Sequence, residues 1–270
     1  MLLWAGRIRN DRAATRVENE LIQQVHAAQG TEATVHFAEL DHLPAVVARY
    51  LRFALRDGQP TIRMARFSQI GELRTDESSD HWSAYRADQI ITPMPPAFVW
   101  DARVRVAPLL HVRVRDAYVA GRGVGQVSLL SAISLSQEEG GAELNAGELY
   151  RYLAEAVWFP TALLPSAGVR WTPIDDSKAL ATLTHAATTV SVEFRFNDHG
   201  EVTGIYTPAR GRRVGSIYQP TPWEGHHRQY IERDGMRVPT AGEVGWYVDG
   251  EWRPVWRGTN TSATYEFSRR

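Results

Sequence analysis

The sequence predicts an α+β fold, in which a large curved antiparallel β-sheet wraps around a central helix and helices precede it at the N-terminus. Three observations carry this. Apolar residues recur with helical spacing before residue 55, with strand spacing over much of 62–267, and with helical spacing again near 147–159. Sequential strands on short turns favour antiparallel pairing, and a lone interrupting helix needs a sheet face to cover its apolar side.

Taken in order, Ala14, Val17, Leu21, Val25 and Ala28 share one face of a helix over about 11–29, and Gly30 follows as a stop signal. A second helix is expected from Pro44 to Leu55, with Val47, Tyr50, Leu51 and Ala54 on one face, ahead of the turn Asp57-Gly58-Gln59-Pro60. Residues 1–40 therefore read as a helical extension and 41–270 as the sheet domain. Strands are expected over 62–74 and 82–92. Phe98, Trp100, Ala102, Val104 and Val106 then alternate with Val99, Asp101, Arg103 and Arg105. Leu110, Val112, Val114, Asp116 and Tyr118 repeat the pattern, giving a hairpin turned at Ala107-Pro108. Further strands are expected over 122–134, 168–174 and 178–184. Those at 190–196 and 202–206 flank the turn Asn197-Asp198-His199-Gly200, and short strands follow around Trp246, Trp256 and Tyr265.

The central helix carries the chemistry. Glu148, Arg151, Glu155 and Trp158 are spaced three, four and three apart and stack on one face. Leu149, Tyr152, Leu153, Ala156 and Val157 supply the apolar stripe, and Pro160 is the expected stop. The charged row is either a solvated set of ion pairs or the lining of a cavity. Asp116 bears on that choice, because strand alternation places its carboxylate beside Val112 and Val114. A buried carboxylate needs a cationic partner or takes up a proton, and Arg151 is the candidate. Trp100, Asp116, Tyr118, Glu148, Arg151, Glu155 and Trp158 are the candidate ligand-contacting residues.

Composition narrows the function. The 270 residues are 43% hydrophobic and 23% charged with a formal net charge of −1, a balance that argues against a nucleic-acid partner. No apolar run is long enough for a membrane helix, and Met1 to Arg9 is too soon charged for a signal peptide, so the expected location is the cytoplasm. The absence of cysteine removes disulfides, thiolate zinc sites and cysteine nucleophiles. Lys178 is the one lysine among 30 basic residues, which closes off P-loop and Schiff-base chemistry and leaves arginine to meet any anion. Nucleophile-elbow, zinc-helix, dinucleotide and kinase motifs are missing. Gly121-Arg122-Gly123-Val124-Gly125 joins two strands and reads as a turn or bulge, and adjacent His226 and His227 diverge too far to form a metal site. No metal or cofactor is implied.

Several phrases resemble those of a bacterial family of unknown function: Pro96-Ala97-Phe98-Val99-Trp100-Asp101-Ala102, Val114-Arg115-Asp116-Ala117-Tyr118, and Arg151-Tyr152-Leu153-Ala154-Glu155-Ala156-Val157-Trp158-Phe159-Pro160-Thr161. Leu43-Pro44-Ala45-Val46-Val47 and Gly242-Glu243-Val244-Gly245-Trp246 extend the resemblance over roughly 40–267. The strand count and central helix are also similar, in architecture alone, to the half-barrels of LolA-type lipoprotein carriers, which hold acyl chains between a curved sheet and helices.

Three functions remain open on these residues. The first is a binding protein holding a lipid-like or other apolar small molecule in the concave face, lined by Phe98, Trp100, Val112, Val114 and Tyr118. The second is an enzyme using Asp116, Glu148 or Glu155 as general acid or base, with Arg151 holding an anion. The third is a scaffold that recruits a partner through its N-terminal helices.

Overall fold

The computed structural model describes residues 16–23, 33–74, 80–108 and 110–269. Residues 16–23 are helical (α1), and the remainder of the helix expected over 11–29 lies outside the described residues. A 3₁₀ turn, Phe37–Leu40, precedes helix α2, Ala45–Ala54, whose buried face holds the expected Val47, Tyr50, Leu51 and Ala54. Strands β1 to β6 follow in sequence as Ile62–Leu73, Ser83–Thr92, Ala97–Ala107, Leu110–Val119, Arg122–Leu129 and Ile133–Glu139. Helix α3, Ala142–Glu155, leads through three 3₁₀ turns into β7 to β9, Val169–Asp175, Lys178–His185 and Thr188–Phe196. The last four strands, β10 to β13, are Val202–Val214, Ile217–Arg233, Met236–Val248 and Glu251–Phe267.

All thirteen strands form one antiparallel sheet in the order β6-β5-β4-β3-β2-β1-β13-β12-β11-β10-β9-β8-β7. Two meanders, β1 to β6 and β7 to β13, are therefore joined where the first strand pairs with the last. The sheet curls around α3, which touches β4 and β5 from one half and β9 and β10 from the other. Leu149, Tyr152 and Leu153 of α3 are fully or almost fully buried against Phe98, Tyr118 and Phe194. Covering a helix on three sides demands strong curvature, and bulges supply part of it at Ser68/Gln69, Thr207/Arg210 and Val244/Gly245.

Glycine permits the closest backbone contacts. Gly71 and Gly258 face each other across β1 and β13, and a Cβ on Gly71 would lie 2.1 Å from the Arg257 carbonyl oxygen and 2.8 Å from the Tyr85 ring. Tyr85 thus lies across the glycine pair and fills the side-chain volume that both lack. Gly123 answers to α3 instead: a Cβ there would lie 2.8 Å from the Leu144 carbonyl oxygen, so the helix start rests directly on β5.

Residues 33–40 belong to the same body, since Val35 and Leu40 are fully buried in the main core and Thr34 bridges to Pro60. Helix α1 lies on the outer face, where Leu21 packs against Ala97, Val99, Ala117 and Val119.

Three sequence expectations need correction. The segment 122–134 is two strands, β5 and the start of β6, separated at Leu130 and Ser131, both with positive φ. The strands expected to be short after residue 214 are long, with β11 and β13 at 17 residues each. The central helix begins at Ala142 behind Gly141 and ends at Glu155, so Trp158 closes a 3₁₀ turn before Pro160 is reached.

Candidate functional site

Strand β4 shows how the concave face changes along its length. Tyr118 is fully buried against α3, whereas Asp116 is part-exposed and Val114 and Val112 are half-buried. Across the barrel, Trp223 is buried and Val244, Trp246 and Trp256 are half-buried. The half-barrel is therefore filled on the side of α3 that carries Leu149 and Tyr152 and less covered on the side of its charged row. Gly125 on β5, opposite Asp116, and Gly147 on α3 both border open space, because an added Cβ meets nothing within 4 Å at either position.

The floor of this cleft is a connected polar network. Arg151 donates to Asp116 Oδ2 at 2.7 Å through Nη1 and to Glu155 Oε1 at 2.8 Å through Nε. Its guanidinium lies over the rings of Trp100, 4.7 Å from the centroid, and Phe98, 5.2 Å. Glu155 Oε2 accepts from Gln89 Nε2 at 2.7 Å. Gln69 Nε2 donates to both Gln89 Oε1 and Asn260 Oδ1, and Gln69 Oε1 accepts from Trp100 Nε1. The expected Asp116–Arg151 pair is thus present within a longer ladder that reaches β13. Asp116, Arg151 and Glu155 retain 26, 16 and 15% side-chain exposure, which places them where a water-sized molecule still reaches them.

Two groups stand outside this ladder. Glu148 is 7% exposed, and its Oε2 has no hydrogen-bond partner among the described residues. Burial first, and Asp116 second, push its carboxyl up to about 8, so it carries a proton at neutral pH. Arg210, on β10 just past a bulge, stacks on Trp223 at 4.4 Å and Trp246 at 5.3 Å and donates through Nη2 to the Gly147 carbonyl at 2.9 Å. Its Nε has no acceptor among the described residues, and burial pulls the guanidinium below its usual value despite nearby Glu148.

The neighbours respond to the same crowding. Burial raises Asp116, and Arg151 offsets part of that rise. Burial alone would lower Arg151, but Glu155, Asp116 and Glu148 together hold it above the usual guanidinium value.

Of the candidate residues, Asp116, Glu148, Arg151 and Glu155 come together at this floor, with Trp100 beneath Arg151. Tyr118 lies deeper, its hydroxyl 3.0 Å from His185 Nδ1 and pushed by burial to about 12. Trp158 is in the core, near Phe67, His227 and Trp256. Sequence reading missed Arg210, which sits in the run Pro208-Ala209-Arg210-Gly211-Arg212-Arg213 and looks like a solvated turn. It also missed Gln69 and Gln89, polar residues on the apolar faces of their strands.

The outer face carries a separate trough of about 1290 Å³, lined by Arg66, Arg86, Asp88, Arg103, Arg105 and His111 among others. At its base Asp101 accepts from Arg113 at 2.7 Å and from Arg115 at 2.9 Å, and Arg115 is only 3% exposed. Burial opposes ionisation of Asp101, but these two guanidiniums hold its carboxyl below the usual range. The β3–β4 register sets Asp101 opposite Arg115 and Trp100 opposite Asp116, with a bulge between Arg105 and Ala107 and the turn just after Ala107. Among the described residues no group of three or more metal-ligating side chains is placed to hold an ion, and no helix is long and apolar enough to cross a membrane.

Fold and site together define an antiparallel half-barrel curled around one helix, with a network of charged side chains between helix and sheet. Within that class, the chain belongs to a family of unknown function, DUF6544, which residues 33–258 match. The resemblance read from the phrases around Trp100, Asp116 and Arg151 is borne out. Among solved structures, the chain is similar to a LolA superfamily protein from Nitrosomonas europaea, with 8% sequence identity, a TM-score of 0.42 and coverage of 82% of this chain and 92% of that one. No curated protein matches the sequence.

Proposed function

We propose that the protein binds a small amphipathic molecule in the open half of the barrel, with its apolar body between Val112 and Val114 on one wall and Trp246 and Trp256 on the other. The observation that carries this reading is the run along β4 from sealed Tyr118 to half-buried Val114 and Val112. Concave apolar side chains left half-covered above a polar floor are the composition of a ligand site, whereas a core would have been filled. In this reading the ligand body lies beyond Phe98, Trp100 and Tyr118, which pack around α3. Asp116 and Glu155 are both engaged by Arg151, which supports a positioning role for them over that of free catalytic bases.

An uncharged, polarity-sensitive dye such as N-phenyl-1-naphthylamine tests the cleft directly. Fluorescence should rise on mixing with the full-length protein, and Val114→Trp, which fills the proposed volume, should abolish the rise while leaving the fold intact by circular dichroism. A dye that gives no enhancement, or one that V114W leaves unaffected, refutes the reading.

A further inference from the structure

We propose that Glu148 and Arg210 form a receptor for the carboxylate end of an amphipathic acid, so that the ligand of the cleft is a monoanion bound head-down against the floor. This rests on the cleft reading above and adds the chemistry of the head.

Three observations lead to it. The ladder from Asn260 to Asp116 pairs Gln69, Gln89, Glu155, Arg151 and Asp116 with one another. Glu148 and Arg210 are the exceptions: one keeps a buried carboxyl oxygen without a partner, the other a buried Nε without an acceptor. Buried polar atoms are ordinarily paired, and these two flank Gly147, Glu148 as its neighbour in the chain and Arg210 through its hydrogen bond, at a point with space for a third group. That space borders Gly147, whose carbonyl oxygen already fixes one Arg210 nitrogen and whose missing side chain leaves the floor open.

Charge then selects the kind of head. Arg151 is matched by Asp116 and Glu155, and Arg210 makes no hydrogen bond to a carboxylate among the described residues. A carboxylate accepts from Arg210 Nε and from the protonated Glu148 carboxyl, which satisfies both orphans at once. An alcohol lacks the charge for Arg210. An ammonium head would be repelled by Arg210, and a dianionic phosphate would crowd Asp116 and Glu155 with a second negative charge. The aromatic clamp of Trp223 and Trp246 holds the guanidinium plane in place beforehand, so little order is lost on binding.

The receptor carries its own pH signature. The groups facing Glu148 are Asp116 from β4, Arg151 and Glu155 from α3, Arg210 from β10 and Tyr218 from β11. Ionisation of Glu148 turns a donor into a second anion facing the ligand, so carboxylate affinity falls as pH rises through the value at which Glu148 loses its proton.

Displacement of the dye by decanoate, decanol, decylamine and decyl phosphate from the full-length protein tests the proposal. Decanoate should compete best at pH 7, and Arg210→Met should weaken it by at least about tenfold relative to decanol, the scale of a charge-assisted hydrogen bond. Arg210→Lys should restore part of the loss. Between pH 7 and 9 decanoate affinity should fall in the wild type and stay level in Glu148→Gln, which cannot ionise. Dye binding with decanoate no better than decanol, or with decylamine or decyl phosphate the strongest competitor, overturns the receptor and leaves the cleft standing. An R210M protein that binds dye and decanoate as the wild type does also overturns it. Failure of the dye itself removes the cleft and the receptor with it.

Discussion

Glu148→Gln should make the protein more stable, and the gain should grow with pH. The wild-type carboxyl holds its proton in the folded state to about pH 8, through burial and then the proximity of Asp116, whereas a glutamate in an unfolded chain loses it near about 4.3. Between those values the native state carries a proton that the unfolded chain has shed. Stability therefore falls as pH rises, by up to about 1.4 kcal/mol per pH unit, and levels off above the folded value. From pH 5.5 to 7.5 this amounts to about 2–3 kcal/mol after allowing for partial titration at both ends. Glutamine keeps the shape and removes the titration, so the difference in stability between variant and wild type should widen by that amount. Urea unfolding followed by tryptophan fluorescence measures it, with nine tryptophans as reporters. Parallel pH profiles for the two proteins would refute the assignment. If Asp116→Asn removed the slope instead, the proton would belong to the other member of the coupled pair.

Arg151→Met should cost about 3–5 kcal/mol, the usual effect of stripping one partner from a buried ion pair. The deficit should be largest near pH 7 and shrink toward pH 4, because Asp116, already raised by burial, loses the guanidinium that offsets the rise and holds its proton more tightly in the folded state than in the unfolded chain; a cost below about 1 kcal/mol without pH dependence in the same urea assay counts against the network. Gly71→Ala should destabilise by more than the 1–3 kcal/mol usual for overpacking, since the new Cβ would meet backbone and not a movable side chain; an unchanged melting temperature in calorimetry would show that β1 and β13 can separate there.

Much of this was legible in the sequence because local pattern and tertiary demand agreed. The β3–β4 hairpin, the buried face of α2 and the contact between Asp116 and Arg151 all follow from alternation or helical spacing on one strongly apolar side. The long strands β10 to β13 did not declare themselves. Their sequence contains Pro208, Pro220, Pro222, Pro239 and Pro254, and bulges at Thr207/Arg210 and Val244/Gly245 shift the phase of alternation midway. Arg210 was hidden for the same reason, because its inward direction depends on the bulge that precedes it. Gln69 and Gln89 were hidden differently: a polar residue on an apolar face signals a partner, but the partners Asn260 and Glu155 lie 191 and 66 residues away. Helix α3 began earlier than its aromatic stretch suggested, since Ala142 to Ala146 has a weak apolar face and gains its place by lying on Gly123.

The ladder from Asn260 to Asp116 also acts as a ruler. A greasy helix in a greasy trough has many nearly equal resting positions, and oily contact alone discriminates poorly among them. A slide of one turn would carry Arg151 and Glu155 about 5.4 Å along the helix axis, out of reach of Asp116 and Gln89, and would strand four polar side chains in the interior. That all-or-nothing matching fixes the helix in one register against the sheet.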